Sequence, residues 1–350
     1  MPEHKHRVVV ADDSGFMRRV LESALRQSGV EVVGTAADGD EALALCKEHN
    51  PDAMTLDLAM PGRDGISVLR ELRESGSPIP VVVVSAFSPA HGARAVDALA
   101  EGAFELVSKP AAGEPLSDFV TELGQKVRLA VESRRSRNGA AARAAAAAVP
   151  ARPKPAARLR ANGTRRTVVI ACSTGGPRAL GELVPKLPSP LGAGTLIVQH
   201  MPPGFTDSLA RRLDNSSPLD VTEAKGGEVL SPRTALLAPG GSHLRLDESR
   251  RAVLSADAAI GGLRPRADLT IKDAAKLFGE RLLLVVLTGM GKDGLEGAED
   301  VRAAGGRILV EAESSCTVYG MPRAVADAGL ADEVVDLSDL PEAIAAEAGR

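Results

Sequence analysis

The chain has 350 residues, 44% hydrophobic, 25% charged and only 2% aromatic, with no Trp and one Tyr. That length suits two domains of ordinary size, and so few aromatics argue against stacking platforms for single-stranded nucleic acid or sugars. No apolar run approaches the ~20 residues of a membrane span, the amino terminus lacks a signal-peptide pattern, and three scattered Cys build neither a disulfide framework nor a zinc knuckle. A cytoplasmic protein without membrane insertion is expected.

The net charge of −4 conceals a pattern along the chain. Residues 1–132 hold 13 basic and 21 acidic residues, a net of −8. Residues 133–166 hold 10 basic residues and no acidic ones, and residues 167–350 hold 19 basic and 25 acidic, a net of −6. The basic strip is rich in Ala, Arg and Pro, and it has too little apolar surface to offset the entropy of ordering it. We read 131–165 as a linker, extended around Pro150, Pro153 and Pro155, with its Ala-rich portion prone to transient helix. A nucleic-acid-binding arm is the rival reading of its charge, but no DNA-binding helix pair adjoins it, so no nucleic-acid partner is expected.

Residues 1–130 alternate short apolar runs with amphipathic segments. "RVVVA" (7–11), "VEVVGTA" (30–36), "AMTLD" (53–57), "PVVVVSA" (80–86) and "AFELVSK" (103–109) each precede a helical pattern, the last from about Glu114. Five such pairs predict a doubly wound parallel (βα)5 sheet, with strands buried on both faces. Residues 166–350 alternate as well. "TVVIAC" (167–172), "GTLIVQH" (194–200), "LLLVVLT" (282–288) and "GRILVE" (306–311) read as buried strands, and the Gly- and Pro-punctuated runs of 219–255 read as hairpins. The second domain is therefore expected to be an α/β, mostly parallel sheet with an antiparallel excursion.

Open α/β sheets bind ligands beyond the carboxyl ends of their strands. In the first domain that rule selects Asp12, Asp13, Asp57, Ser85 and Lys109. Converging carboxylates repel unless a cation joins them, and an all-oxygen set suits Mg²⁺; a Lys and a hydroxyl nearby would hold phosphoryl oxygens. Each Asp alone reads equally well as a turn or cap residue. "ADDS" (11–14), "LDLAMPGRDG" (56–65), "VSA" (84–86) and "SKP" (108–110) together make the block resemble the two-component response-regulator receiver family. The resemblance implies that Asp57 accepts a phosphoryl group from a histidine kinase. It further implies that Asp12, Asp13, Asp57 and the carbonyl of Ala59 hold Mg²⁺, that Ser85 and Lys109 contact the phosphoryl group, and that Phe104 on strand five is the switch aromatic. Plain core packing is the alternative for Phe104.

In the second domain the same rule selects Ser173, His200 and Asp293, a nucleophile, a base and an orienting carboxylate. "STGGP" can open a helix whose amino end faces developing negative charge, and the turn "TGMG" offers the Met290 N–H as an oxyanion donor. Turn, cap and strand-end roles explain these residues equally well by spacing alone. The order Ser, His, Asp and the absence of a Gly two residues before Ser173 disfavour α/β-hydrolases.

"STGGP" (173–177), "QHMPPGFT" (199–206), "APGGSHL" (238–244), "TGMGKDG" (288–294) and "YGMP" (319–322) together resemble the chemotaxis protein-glutamate methylesterase (CheB) family. The resemblance implies a phosphorylation-regulated hydrolase of γ-glutamyl methyl esters on chemoreceptors, with glutamine deamidation as a companion activity and no cofactor in the esterase domain. It assigns Ser173, His200 and Asp293 as the triad, places Thr174 beside the nucleophile and gives Met290 the oxyanion N–H. Thr174 reads otherwise as an ordinary helix-start residue. Four positions depart from the family pattern: Ala171 and Cys172 before the nucleophile, Arg266 where Ser is usual, and Cys316. His243 reads either as a cleft residue or as a structural one. A receiver fused to a non-catalytic binding module and a receiver-controlled DNA regulator are the competing readings.

Overall fold

The apolar runs of the amino-terminal block lie side by side as one parallel sheet. This computed structural model describes residues 6–86, 89–110, 116–146 and 165–349, in two units, Met1–Arg158 and Leu159–Arg350. In the first, β1 (Arg7–Ala11), α1 (Gly15–Gln27), β2 (Glu31–Ala36), α2 (Gly39–His49) and β3 (Ala53–Leu56) are followed by α3 (Gly65–Glu74), β4 (Val81–Ser85), α4 (Pro89–Ala100), β5 (Glu105–Ser108) and α5 (Leu116–Ala146). The strand order is β2-β1-β3-β4-β5, with every pair parallel. Ser14, Asp38 and Asp64 cap α1, α2 and α3 by accepting a first-turn N–H, which is why each helix starts where it does. Val8, Val9, Val10, Met54, Val82 and Val83 are essentially inaccessible, as a sheet covered on both faces requires.

Two details differ from the sequence reading. Helix α5 continues to Ala146, 16 residues past position 130, because its Ala-rich continuation has the best helix propensity of any composition. The rest of the basic strip, including Pro150, Pro153 and Pro155, lies outside the described residues. Phe104 is buried, but it sits at the amino-terminal entry of β5, where its N–H donates to Val81 O. It therefore packs at the edge of the sheet opposite Lys109, as a core residue and not as part of the acidic pocket.

The second unit is built on a seven-stranded parallel sheet. Its elements are β6 (Thr167–Cys172), α6 (Gly176–Leu183), β7 (Thr195–Gln199), α7 (Phe205–Ser216), β8 (Asp220–Glu223), β9 (Thr234–Leu237), β10 (His243–Leu246) and β11 (Ala252–Ser255). They continue with α8 (Ala267–Phe278), β12 (Leu282–Val286), α9 (Leu295–Ala303), β13 (Arg307–Glu311), α10 (Met321–Asp327), β14 (Glu333–Val335) and α11 (Leu340–Ala348). The order is β14-β13-β12-β6-β7-β9-β8, parallel throughout. Among the described residues, only β10 and β11 form an antiparallel hairpin. The runs of 219–255 read as hairpins, but β8 and β9 among them extend the sheet edge in parallel. The intervening residues 224–233 allow a crossover, and short strands look alike in either pairing.

On one face of this sheet, Val169, Leu196, Val198, Leu284 and Val286 pack against Ile271, Ala274 and Ala275 of α8 and against Ala298 and Val301 of α9. Each buried Val, Leu or Ile contributes about 1.5–3 kcal/mol relative to exposure. This packing holds α8 and α9 together over the strand ends. No helix among the described residues is long and apolar enough to cross a membrane.

Candidate functional site

At the carboxyl edge of the first sheet, parallel register aligns the acidic residues. Ala11 pairs with Leu56, so Asp12 and Asp57 leave neighbouring strands at the same level. Asp12 is inaccessible, Asp57 nearly so and Asp13 exposed, and one carboxylate oxygen from each lies within 4.8 Å of the others. Lys109 leaves β5 beside Ser85, whose carbonyl accepts its N–H at 2.9 Å. Its Nζ reaches Asp12 Oδ2 and Asp57 Oδ2, each at 2.7 Å. Burial raises the Asp12 carboxyl above its ordinary range despite Lys109 and the Ser14 N–H. Burial opposes the charge on Lys109, yet its two carboxylate partners hold its amine above the ordinary value.

One cation among three ionised carboxylates leaves two negative charges and only hard oxygen donors, so the residues present fit a divalent cation. Ala59 is exposed at the mouth, and its N–H donates to Asp57 Oδ1. Ser85 is buried, and its hydroxyl makes a long contact, 3.5 Å, to the Ala86 carbonyl.

The second site lies at the carboxyl edge of the three central strands of the other sheet. Cys172 at the end of β6 pairs with Gln199 at the end of β7, so Ser173 and His200 emerge side by side. Ala171 pairs with Val286 of β12, and the chain beyond β12 stays with β6, the Ser173 N–H donating to Thr288 O at 3.0 Å. Gly289 lets this turn approach. A Cβ there would stand 2.9 Å from Ser173 Cβ and 3.0 Å from its nitrogen, closer than side chains tolerate. Gly175, at φ +80°, makes the bend that turns the chain from Ser173 into α6.

His200 Nε2 lies 2.7 Å from Asp293 Oδ2. Its Nδ1 is buried without a hydrogen-bond partner among the described residues. With the proton on Nε2 donated to the carboxylate, the Nδ1 lone pair is the available base. Ser173 is half-buried, and its Oγ makes no hydrogen bond to the ring among the described residues. Such nucleophile–base bonds are often loose in unliganded sites and tighten with substrate.

Asp293, 3% exposed, is held by donors on every side. Oδ2 also accepts the Ala267 N–H at 2.7 Å. Oδ1 accepts N–H groups of Asp268 and Gly294, both at 3.0 Å, and faces Arg266 Nε at 3.3 Å. Burial alone would raise its pKa; the His200 bond and the surrounding donors outweigh burial and hold the carboxyl well below its ordinary range. Asp268 mirrors it. Its Oδ1 accepts the N–H groups of Gly294 and Gly297, and its Oδ2 pairs with Arg266 Nη2 at 2.6 Å. Burial and the adjacent Asp293 push Asp268 up to about 6. Each carboxylate thus caps the other's helix: Asp293, just before α9, takes the first N–H groups of α8, and Asp268, on α8, takes those of α9. Neither helix has a capping side chain of its own.

The turn 288–291 is pinned from below. The Thr288 N–H donates to Glu311, its hydroxyl donates to Thr174 O and accepts from Val318 N–H, and Gly289 O accepts N–H groups of Gly320 and Met321. The Met290 side chain is exposed, and its N–H makes no intramolecular bond among the described residues. Thr174 is buried beside Ser173. Burial pushes the Cys172 thiol far up and so keeps it unreactive. His243 is structural: it accepts the Arg266 N–H on Nδ1, and its Nε2 faces Ala258 O.

Sequence reasoning missed Gln199, whose Nε2 donates to both the Ser173 and the His200 carbonyls while its Oε1 accepts from Cys172 Sγ. A polar residue ending an apolar strand was the available signal. It also missed Asp268, and it noted Arg266 only as a departure.

Comparison with known proteins finds matches to both units. Residues 168–344 match the CheB methylesterase family model, and residues 8–121 match that of the response regulator receiver domain. A protein-glutamate methylesterase/protein-glutamine glutaminase of Symbiobacterium thermophilum is 41% identical over 98% of this chain and 97% of its own length. A namesake from Pyrococcus horikoshii is 37% identical over 97% and 93%. The crystal structure of the Thermotoga maritima CheB methylesterase catalytic domain superposes with a TM-score of 0.50 at 42% identity, covering 52% of this chain and 97% of that one. With similarity running through both units, the chain belongs to the CheB methylesterase family.

Proposed function

We propose that this chain hydrolyses γ-glutamyl methyl esters on chemoreceptors to glutamate and methanol, and deamidates receptor glutamines, under the control of its receiver. The observation that carries the reading is the buried His200–Asp293 pair at the strand end next to Ser173, with Nδ1 of the ring unpartnered. Ser173 Oγ attacks the ester carbonyl and gives its proton to His200 Nδ1. The imidazolium, steadied by Asp293, returns that proton to the departing methoxide, leaving methanol and an acyl-serine. Water, deprotonated by the same ring, then cleaves the acyl-serine to glutamate, and the ring returns that proton to Ser173 Oγ. The Met290 N–H receives the negative charge that develops on the carbonyl oxygen, and buried Thr174 packs beside the nucleophile. The esterase chemistry needs only these protein groups.

The receiver occupies 1–130, a linker 131–165 and the catalytic domain 166–350. Asp57 accepts a phosphoryl group from a histidine kinase. Asp12, Asp13, Asp57 and the Ala59 carbonyl would hold Mg²⁺, which supplies charge neutralisation at the phosphoryl oxygens when bound; Ser85 and Lys109 contact those oxygens. The unphosphorylated receiver restrains the esterase, in a cytoplasmic enzyme whose substrates are the cytoplasmic helices of receptors. Methanol release from methylated receptors tests the reading. Wild type should release methanol faster with a phosphodonor, and Ser173→Ala should release none. Undiminished release by Ser173→Ala would refute it.

A further inference from the structure

We propose that Arg266 is a positioning residue that sets the basicity of the His200–Asp293 pair; this rests on the base role assigned to His200 above. The guanidinium is 14% exposed by side chain and is clamped on several sides. Nη2 meets Asp268 Oδ2 at 2.6 Å, Nε faces Asp293 Oδ1 at 3.3 Å, Nη1 donates to Ile260 O at 3.4 Å, and the backbone N–H is fixed by His243 Nδ1 at 3.2 Å. A helix cap would need none of this. Arg266 is the N-cap residue of α8 by position, yet its side chain caps nothing and turns to the two carboxylates.

The charge balance explains why that matters. Asp268 and Asp293 are both buried, and their backbone donors serve both at once. Two buried carboxylates this close compete for one proton. Arg266, which stays charged at any working pH, brings the two ionised carboxylates to a single net negative charge. An imidazolium then meets one net negative charge instead of two. Removing Arg266 strengthens the hold on the imidazolium, raises the basicity of His200 and leaves more of the ring protonated, hence idle, at a given pH. Removing the charge of Asp268 acts the other way. Other charged or titratable groups facing the cluster are Glu296 of α9, which is largely exposed and 3.8 Å from Nη2, and His243 of β10, held through its ring by Arg266 N–H and Ala258 O.

The test is the pH profile of kcat/KM for methanol release by the full chain. In Arg266→Ser and Arg266→Gln the acid limb should move up by about half to one pH unit, a three- to tenfold loss below the limb. It should stay within about 0.2 unit of wild type in Arg266→Lys. In Asp268→Asn it should move down. A packing defect would depress rates without shifting these limbs in opposite directions. Limbs that coincide with wild type in the folded Arg266 variants, or that move the same way in Arg266→Gln and Asp268→Asn, would overturn the proposal. Should the Arg266 variants not fold, an Asp268→Asn limb that is unmoved or raised overturns it. Ser173→Ala separates the two readings: activity surviving there removes the base assignment, whereas a dead Ser173→Ala with unmoved limbs removes only the Arg266 role.

Discussion

Replacing Asp293 by Asn keeps the size of the side chain and exposes what the carboxylate does. Five donors surround it, with the Asp268 carboxyl beside Oδ1: His200 Nε2 and Ala267 N–H at Oδ2, and Asp268 N–H, Gly294 N–H and Arg266 Nε at Oδ1. An amide has one oxygen and one NH2, so its NH2 must face donors whichever way it turns. Turned toward Oδ1 it strands two backbone N–H groups and opposes a cation; each stranded buried donor costs about 1–3 kcal/mol. Turned toward Oδ2 it strands only the Ala267 N–H, because the imidazole can adapt by moving its proton from Nε2 to Nδ1. The second orientation wins, and it disarms the base, since a protonated Nδ1 cannot take the Ser173 proton. A wrong tautomer of this kind costs on the order of 10⁴ in kcat, equivalent to about 5.5 kcal/mol of barrier. Stopped-time methanol release with methylated receptor measures it, alongside thermal unfolding to show that the variant is folded. KM should change little. A folded Asp293→Asn that keeps more than about a tenth of wild-type kcat would refute the tautomer argument.

Acid stability follows from the same carboxylate. Its folded pKa lies below the unfolded one, so its contribution is complete above the ordinary carboxyl range and disappears as pH falls through the depressed folded value. The stability gap between wild type and Asp293→Asn in urea unfolding should therefore narrow as pH falls below ~4; a gap that widens over that range contradicts the assignment. In the receiver, Mg²⁺ should raise the unfolding temperature by relieving the excess negative charge of the Asp12, Asp13 and Asp57 pocket, and Asp13→Asn should weaken the shift; calorimetry with and without the metal decides. Gly289→Ala drives a methyl group into Ser173 and Met321 and should lower kcat by at least tenfold while destabilising by about 1–3 kcal/mol. Wild-type kinetics in that variant would mean that the turn is not held against the nucleophile.

The site residues at strand ends were legible because a buried parallel strand is a continuous apolar run, and Asp12, Asp57, Ser173 and His200 each interrupt one. Asp293 needed its Gly-rich motif, since six residues separate it from the end of β12. What escaped was everything that depends on two distant segments meeting. Asp268 is 25 residues from Asp293 in the chain, and nothing local distinguishes it from the many Asp residues that open helices. Gln199 reads as a strand terminus until the carbonyls of Ser173 and His200 are seen converging on it. The pairing of β8 with β9 was misjudged for a related reason: four-residue strands carry too little pattern to distinguish a hairpin from a parallel edge. For Phe104 the core-packing alternative holds, since it lies just before β5, at the end away from Lys109.

The reciprocal capping of α8 and α9 gives Asp293 a second employment beside the orienting role proposed for it. Active sites are commonly assembled at the expense of stability, so that disabling them makes the protein sturdier. Here Asp293 and Asp268 close two helix starts that have no capping side chains of their own, and deleting either should loosen the fold, with the chemistry silenced only at Asp293. Loss-of-function variants at this corner will consequently be scarce in the soluble fraction. The corner also reports on itself: if the two helices drift apart, His200 loses its anchor, so a partly unfolded enzyme cannot go on demethylating receptors.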